Sequence, residues 1–274
     1  MCGCLESRPP PFEYDNTKSS NDALADASPA WPHLRATVLP EYLTNSLLLV
    51  VLVGAASLII GTGCAWLTST MKFPGVRVLS AGLVLPLAAP AYVVAYVYTD
   101  LLDYSGPVQS AFRSLFDLLG VQAGNYWFPE IRSLPGAALM LTLVLYPYVY
   151  LLARAAFVRQ SSALFDAARV LGQGPWRAFF SVALPTARPA IVGGTALVLM
   201  ETLADFGVVE YFGVATFTTG IFRTWYAMGD QLAALQLAAW LFLVVLVLVM
   251  VEFFARRGRV ANPVGHLPEP RLVK

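Results

Sequence analysis

Residues Ser161–Pro189 read SSALFDAARVLGQGPWRAFFSVALPTARP, a polar and basic stretch held between two apolar runs of membrane-crossing length. Ser161-Ser162 supply a cap for a short helix through Leu171, with Asp166 near its positive end, where a carboxylate is stabilised. Ala167 and Ala168 keep one face of that helix slim. Gly172 or Gly174 can adopt the positive backbone angle that ends it. Pro175 suits the first turn of a second helix carrying Trp176, Phe179 and Phe180. Leu184-Pro185 is expected to stop this helix and turn the chain back toward the bilayer. The expected product is a compact helix–turn–helix knob, loop 161–189.

Outward from this knob the chain is apolar. It is 57% hydrophobic and 13% charged, where soluble chains carry about 25% charged residues. No charge falls between Glu41 and Lys72, Arg77 and Asp100, Arg132 and Arg154, or Asp230 and Glu252. Each run exceeds the ~20 residues that a helix needs to cross ~30 Å of hydrocarbon. A fifth segment after Arg188 is interrupted by Glu201 and Asp205, but its centre is rich in Gly193, Gly194 and Ala196, which allow close helix approach. The expected spans are 44–70, 77–99, 134–157, 187–205 and 231–253.

The loops set the orientation. Lys72, Arg77, Arg154, Arg159, Arg169, Arg177, Arg188, Arg256, Arg257 and Arg259 fall on one side; Asp100, Asp103, Asp117, Glu130, Glu201, Asp205, Glu210 and Asp230 fall on the other. Basic loops stay in the cytoplasm. The knob and the tail 258–274 are therefore expected inside, with residues 1–40 outside as a disordered tail, rich in proline, Asn and Ser and without the pattern of a signal peptide. Cys2 and Cys4 lack partners for a metal site, and Cys64 is expected to be packing.

Three finer features follow. Ser105-Gly106-Pro107 introduces an amphipathic helix over Val108–Leu119, with Phe112, Leu115, Phe116 and Leu119 on one face. Tyrosines cluster near expected water–lipid boundaries. Pro86, Pro90 and Pro147 fall inside spans two and three, where each removes a backbone hydrogen bond and bends its helix.

The spacing Asp166-Ala167-Ala168, Gly172, Val182, Leu184-Pro185 resembles the cytoplasmic coupling loop of ABC importer permeases, with Asp for the usual Glu and Val for the usual Ile. Leu85–Tyr98, Trp127–Ser133, Leu145–Arg154, Glu201–Gly207, Tyr211–Gly213 and Thr216–Arg223 are similar to the ferric-iron permeases of that family. The resemblance covers roughly Trp31 to Arg257. It implies an all-α polytopic membrane protein of the bacterial inner membrane, a type I ABC importer transmembrane domain over 41–257 with about five spans and one coupling helix. It implies three partners besides the bilayer: an ATP-binding subunit, a second permease half, and a periplasmic substrate-binding protein delivering iron(III). That family usually holds two homologous halves, so the chain is expected to be an N-terminal half that lacks the family's first helix.

Carboxylates near a membrane interior are expensive and usually functional or paired. Glu201, Asp205, Phe206, Gly207, Glu210 and Tyr211 are therefore expected to form the external gate and path. Hard Fe³⁺ would suit the oxygens of Glu201, Asp205, Glu210 and Tyr211, but Glu201 and Asp205 are expected instead to pair with arginine or cap the helix end, and no metal site or bound cofactor is expected. Another cargo (thiamine, polyamine or molybdate) and a structural half without transport remain alternatives. Enzyme chemistry is not expected: His33 and His266 lie in the tails, no catalytic cluster falls within the spans, and no glycine-rich phosphate loop is present. No nucleic-acid partner is expected.

Overall fold

A computed structural model describes residue 31 and residues 34–71, 73–118, 130–160 and 174–257, and these are almost wholly helical. In chain order the helices are α1 (Leu39–Thr70), α2 (Val76–Gly82), α3 (Ala91–Leu102), α4 (Pro107–Leu118), α5 (Leu134–Arg159), α6 (Pro175–Ala178), α7 (Leu184–Ala204), α8 (Gly207–Tyr211), α9 (Phe217–Tyr226) and α10 (Gln231–Arg257). Among the described residues four helical stretches are long and apolar enough to cross a bilayer, or five if the bent segment 76–116 is one span.

Helix α5 is the axis. Ser133 caps it, its Oγ accepting from the Gly136 N–H at 3.4 Å, and Pro135 occupies the first turn, where a missing N–H costs nothing. Its side chains from Ala137 to Phe157 make the largest buried cluster, packed between α1 and α7. Two glycines permit this. A β-carbon on Gly61 of α1 would lie 2.7 Å from the Val149 Cβ and 2.9 Å from the Tyr146 carbonyl oxygen. One on Gly194 of α7 would lie 2.8 Å from the Val149 Cα. Where lipid is as apolar as leucine, such close backbone approach supplies the packing attraction that holds helices together.

Three expectations are corrected. Residues 34–40 are not a disordered tail: a π-helical turn over Leu34–Val38 leads into α1, with Pro40 in its first turn and Leu34 buried. Residues 1–30 lie outside the described residues. The second span is not one bent helix. Pro86 and Pro90 break it into α2, a 3₁₀ turn over Leu85–Ala88, and α3, with a bend of 102° between its halves. Two prolines four residues apart withdraw donors from consecutive turns, more than a single kink absorbs.

Leu184-Pro185, finally, does not stop a helix. The chain runs from α6 through a π-helical turn, Phe179–Ala183, straight into α7. The wider turn accommodates Pro185 in the first turn of α7, its neighbour Leu184 donating back to the Phe179 carbonyl, and the Thr186 hydroxyl meets the Val182 carbonyl at 2.8 Å. The amphipathic helix appears as α4, starting at Pro107.

Candidate functional site

Two ends of the bundle carry the functional candidates. At the basic end, Trp66 of α1, Phe157 of α5 and Phe179 meet: ring centroids are 5.6 Å apart for Trp66–Phe157 and 4.7 Å for Trp66–Phe179. Offset and edge-on pairs of this kind add to plain burial. Beside them the Gln160 amide donates to the Ala183 carbonyl at 3.0 Å. The end of α5 at Phe157–Gln160 and the stretch Phe179–Ala183 therefore meet at one point beside Trp66 of α1.

Asp166, Ala167, Ala168 and Gly172 lie outside the described residues. Val182, Leu184 and Pro185 lie on the continuous α6–α7 rod, all half-buried, with Leu184 packed on the core. The outward face of the stretch 176–180 is aromatic: Trp176 is 71% and Phe180 62% exposed, whereas Phe179 between them is 8% exposed. Sequence reasoning grouped these three rings on one helix. It missed Trp66, Phe157 and Gln160 as their support; the recurrence of aromatics at both span ends was the available signal.

At the acidic end, Glu201–Arg223 forms a hairpin of α8 and α9. The Asp205 carboxylate accepts the Val208 and Val209 N–H groups, each at 3.1 Å, and so caps α8. Its carbonyl accepts the Thr218 hydroxyl at 2.7 Å, joining the two arms. Burial pushes the Asp205 carboxyl up to about 6, against the pull of those two amides. Glu210 pairs with Arg223 at 3.3 Å, both half-exposed. Gly213, with φ +69°, turns the chain between the arms.

The arms grip different helices. Tyr211 stacks on Tyr96 of α3 at 4.0 Å and lies under Arg132 at 5.2 Å, while Gly207 presses on Tyr92. Across the turn, α9 is fixed to α1: Asn45 donates to the Ala215 carbonyl at 3.0 Å, and the Phe217 N–H donates to the Ser46 hydroxyl at 3.3 Å. Gly220 meets the Tyr42 ring so closely that a β-carbon would overlap it. Phe206 stacks on Phe222 at 4.7 Å in a cleft completed by Thr218, Trp225 and Tyr226.

The six expected gate residues thus fall in one hairpin, but not around one point. Asp205 is spent on backbone amides, Glu210 on Arg223, and Glu201 is exposed. Among the described residues no group of three or more His, Cys, Asp or Glu side chains is placed to hold a metal ion.

Residues 57–260 match the family described as "Binding-protein-dependent transport system inner membrane component". The Fe(3+)-transport system permease protein FbpB 2 of Haemophilus influenzae is 28% identical over 237 residues, 86% of this chain and 42% of that protein. The molybdenum transport system permease protein ModB of Escherichia coli is 33% identical over 156 residues, 57% of this chain and 64% of the relative. A probable sulfate transport system permease protein, cysT of Chlorokybus atmophyticus, is 31% identical over 153 residues, 54% of this chain and 48% of the relative. The chain spans less than two thirds of each of these relatives. Among solved structures, a bacterial alginate ABC transporter superposes with a TM-score of 0.71 at 17% identity, over 86% of this chain and 84% of that one. The MetNI methionine ABC transporter, in an inward-facing conformation, superposes with a TM-score of 0.64 at 17% identity, over 85% of this chain and 99% of that one. The arrangement of helices around α5 is that of a type I importer transmembrane domain.

Proposed function

As the chain belongs to the binding-protein-dependent transport system inner membrane component family, and so is a multi-pass permease subunit of an ABC importer, we propose that it couples a separate ATPase to an external gate and admits iron(III). The basic end faces the cytoplasm. There the loop 161–189 docks on an ATP-binding subunit through Asp166, Ala167, Ala168 and Gly172, with Trp176 and Phe180 as further exposed anchors. The acidic end faces a periplasmic binding protein, and a second permease half or subunit completes the path. Chemistry on nucleotide belongs to the ATPase; this chain moves a gate and binds no cofactor of its own.

One observation supports the coupling role above others. The described residues on either side of 161–173 meet at a single point on α1 and α5, through the Trp66–Phe157–Phe179 cluster and the Gln160–Ala183 hydrogen bond at 3.0 Å. A push on the loop is therefore delivered to the buried axis, not dissipated in a slack linker. At the other end of that axis the hairpin Glu201–Arg223 forms the gate.

For cargo, the iron reading rests on the length of the match to the Fe(3+) permease, 86% of this chain. The molybdenum relative is more identical, at 33%, but over 57% of the chain, and an oxyanion such as molybdate is the second reading. Arg132 and Arg223 at the acidic end are the groups that would favour it. Uptake of radioactive iron and of molybdate by cells carrying the chain with its ATPase and binding protein separates them. ATP-dependent iron accumulation, lost in Gly172→Asp with the protein still inserted, supports the proposal; molybdate accumulation without iron overturns the cargo, and normal uptake in Gly172→Asp overturns the coupling assignment.

A further inference from the structure

The break in the second span leaves two backbone carbonyls without their helical donors. After α2 the chain tightens, so that the Val84 N–H donates to the Ala81 carbonyl and the Leu87 N–H to the Val84 carbonyl, each at 3.1 Å. The carbonyls of Ser80 and Leu83 are passed over, and Leu83 also loses the residue three ahead, because Pro86 has no N–H. In a bilayer such groups must be satisfied by neighbouring protein. Both are met from α5. The Tyr146 hydroxyl donates to the Leu83 carbonyl at 3.0 Å, and the Tyr150 hydroxyl lies 3.4 Å from the Ser80 carbonyl. The Thr68 hydroxyl of α1 reaches Tyr150 at 3.3 Å.

The two tyrosines are one helical turn apart, and Pro147 lies between them. Pro147 gives no N–H to Leu143, so α5 is weakest at the turn that carries both hydroxyls. Gly61 and Gly194 bring α1 and α7 onto the backbone of this same turn, at Val149 and its neighbours. Tyr146 thus reports the position of the outer half of α5, and Tyr150 that of the half that runs to the loop 161–189.

We propose that Tyr146 and Tyr150 are positioning residues which make the proline turn of α5 and the break at residues 83–90 one joint. Flexing of α5 at Pro147 changes the separation of the two hydroxyls and is imposed on the Ser80 and Leu83 carbonyls, so the break opens or tightens with it. The inference rests on the described contacts and not on the identity of the cargo or of the ATPase.

Amide hydrogen exchange of the full chain in lipid nanodiscs tests it, comparing Tyr146→Phe, Tyr150→Phe, the double variant, and Pro147→Ala, which restores an N–H toward Leu143. Exchange over residues 79–89 should rise about tenfold in Tyr146→Phe and about threefold in Tyr150→Phe, following the shorter and longer contacts, with α10 unchanged. Pro147→Ala should slow exchange over the same residues severalfold, and that slowing should vanish when both hydroxyls are absent. Unchanged exchange in the double phenylalanine variant overturns the proposal. So does a rise spread equally over all helices, which would mark the tyrosines as general packing, and so does a Pro147→Ala effect that persists without the hydroxyls. Loop labelling or ATPase crosslinking that fails would sink the coupling assignment and leave this result untouched.

Discussion

Helices α5 and α10 are both long, apolar and uncharged through their centres, yet 67% of the central window of α5 is buried inside the protein and 11% of that of α10. Hydropathy does not explain the difference, since α10 is the more apolar of the two. Neighbours do. Around α5, glycines on α1 and α7 admit backbone contact, and tyrosine hydroxyls find carbonyl partners. On α10, Trp240, Phe242, Leu243, Leu246 and Val247 stand outward. Apolarity tells a segment to leave water; small residues and placed hydroxyls tell it to meet protein.

The largest expected effect comes from filling the approach to α5. Gly61→Leu or Gly194→Leu forces bulk against the Val149 turn, where overpacking costs roughly 3 kcal/mol or more because backbone must move. Size-exclusion profiles of the detergent-solubilised chain should lose the folded peak, whereas Val247→Leu on α10 should leave it intact. Next is Phe179→Ala, which removes the ring between Trp66 and Phe157 and should cost about 3 kcal/mol. Phe242→Ala on α10 should stay within about 0.5 kcal/mol in the same denaturation series.

A pH effect ranks third. The Asp205 carboxyl has an ordinary value of 3.8 and sits at about 6 in the fold. The folded state therefore holds its proton over that window while the unfolded state has lost it. Stability should be greatest below about 4 and fall as pH rises to about 6, then level off. Discounted for residual solvent contact, the fall should be roughly 2 kcal/mol. Asp205→Asn should flatten this slope in thermal melts across pH 4–7; an unchanged slope would place its origin elsewhere. Smallest in stability is Trp176→Ala with Phe180→Ala: both rings are exposed, so melting should not move by more than about 0.5 kcal/mol, while transport per ATP should drop.

Much of this architecture was legible. The uncharged runs marked α1, α5 and α10, and Ser105-Gly106-Pro107 marked α4, because length, charge and proline placement act locally. The second span was misread, since two prolines in one span can bend a helix or break it, and the choice depends on whether a neighbour such as Tyr146 covers the freed carbonyl. Leu184-Pro185 was misread for a related reason: a π-helical turn, invisible in residue pattern, made room for the ring. At the acidic end the six residues were found as a segment, but Tyr92 and Tyr96, which hold Gly207 and Tyr211, and Asn45, Ser46 and Tyr42, which hold the following arm at Ala215, Phe217 and Gly220, come from helices far away in sequence. Spacing cannot show that Asp205 faces the amides of α8 instead of a cargo.

On the proposed function the basic end is the drive shaft's socket, on the cytoplasmic side and in touch with an ATPase. A single cysteine at position 176, in a chain otherwise freed of Cys2, Cys4 and Cys64, tests it most directly. Membrane-impermeant thiol reagent should label it in inverted vesicles and not in intact cells, and a short bifunctional linker should join it to the ATP-binding subunit. Labelling in intact cells with no such crosslink would contradict the account.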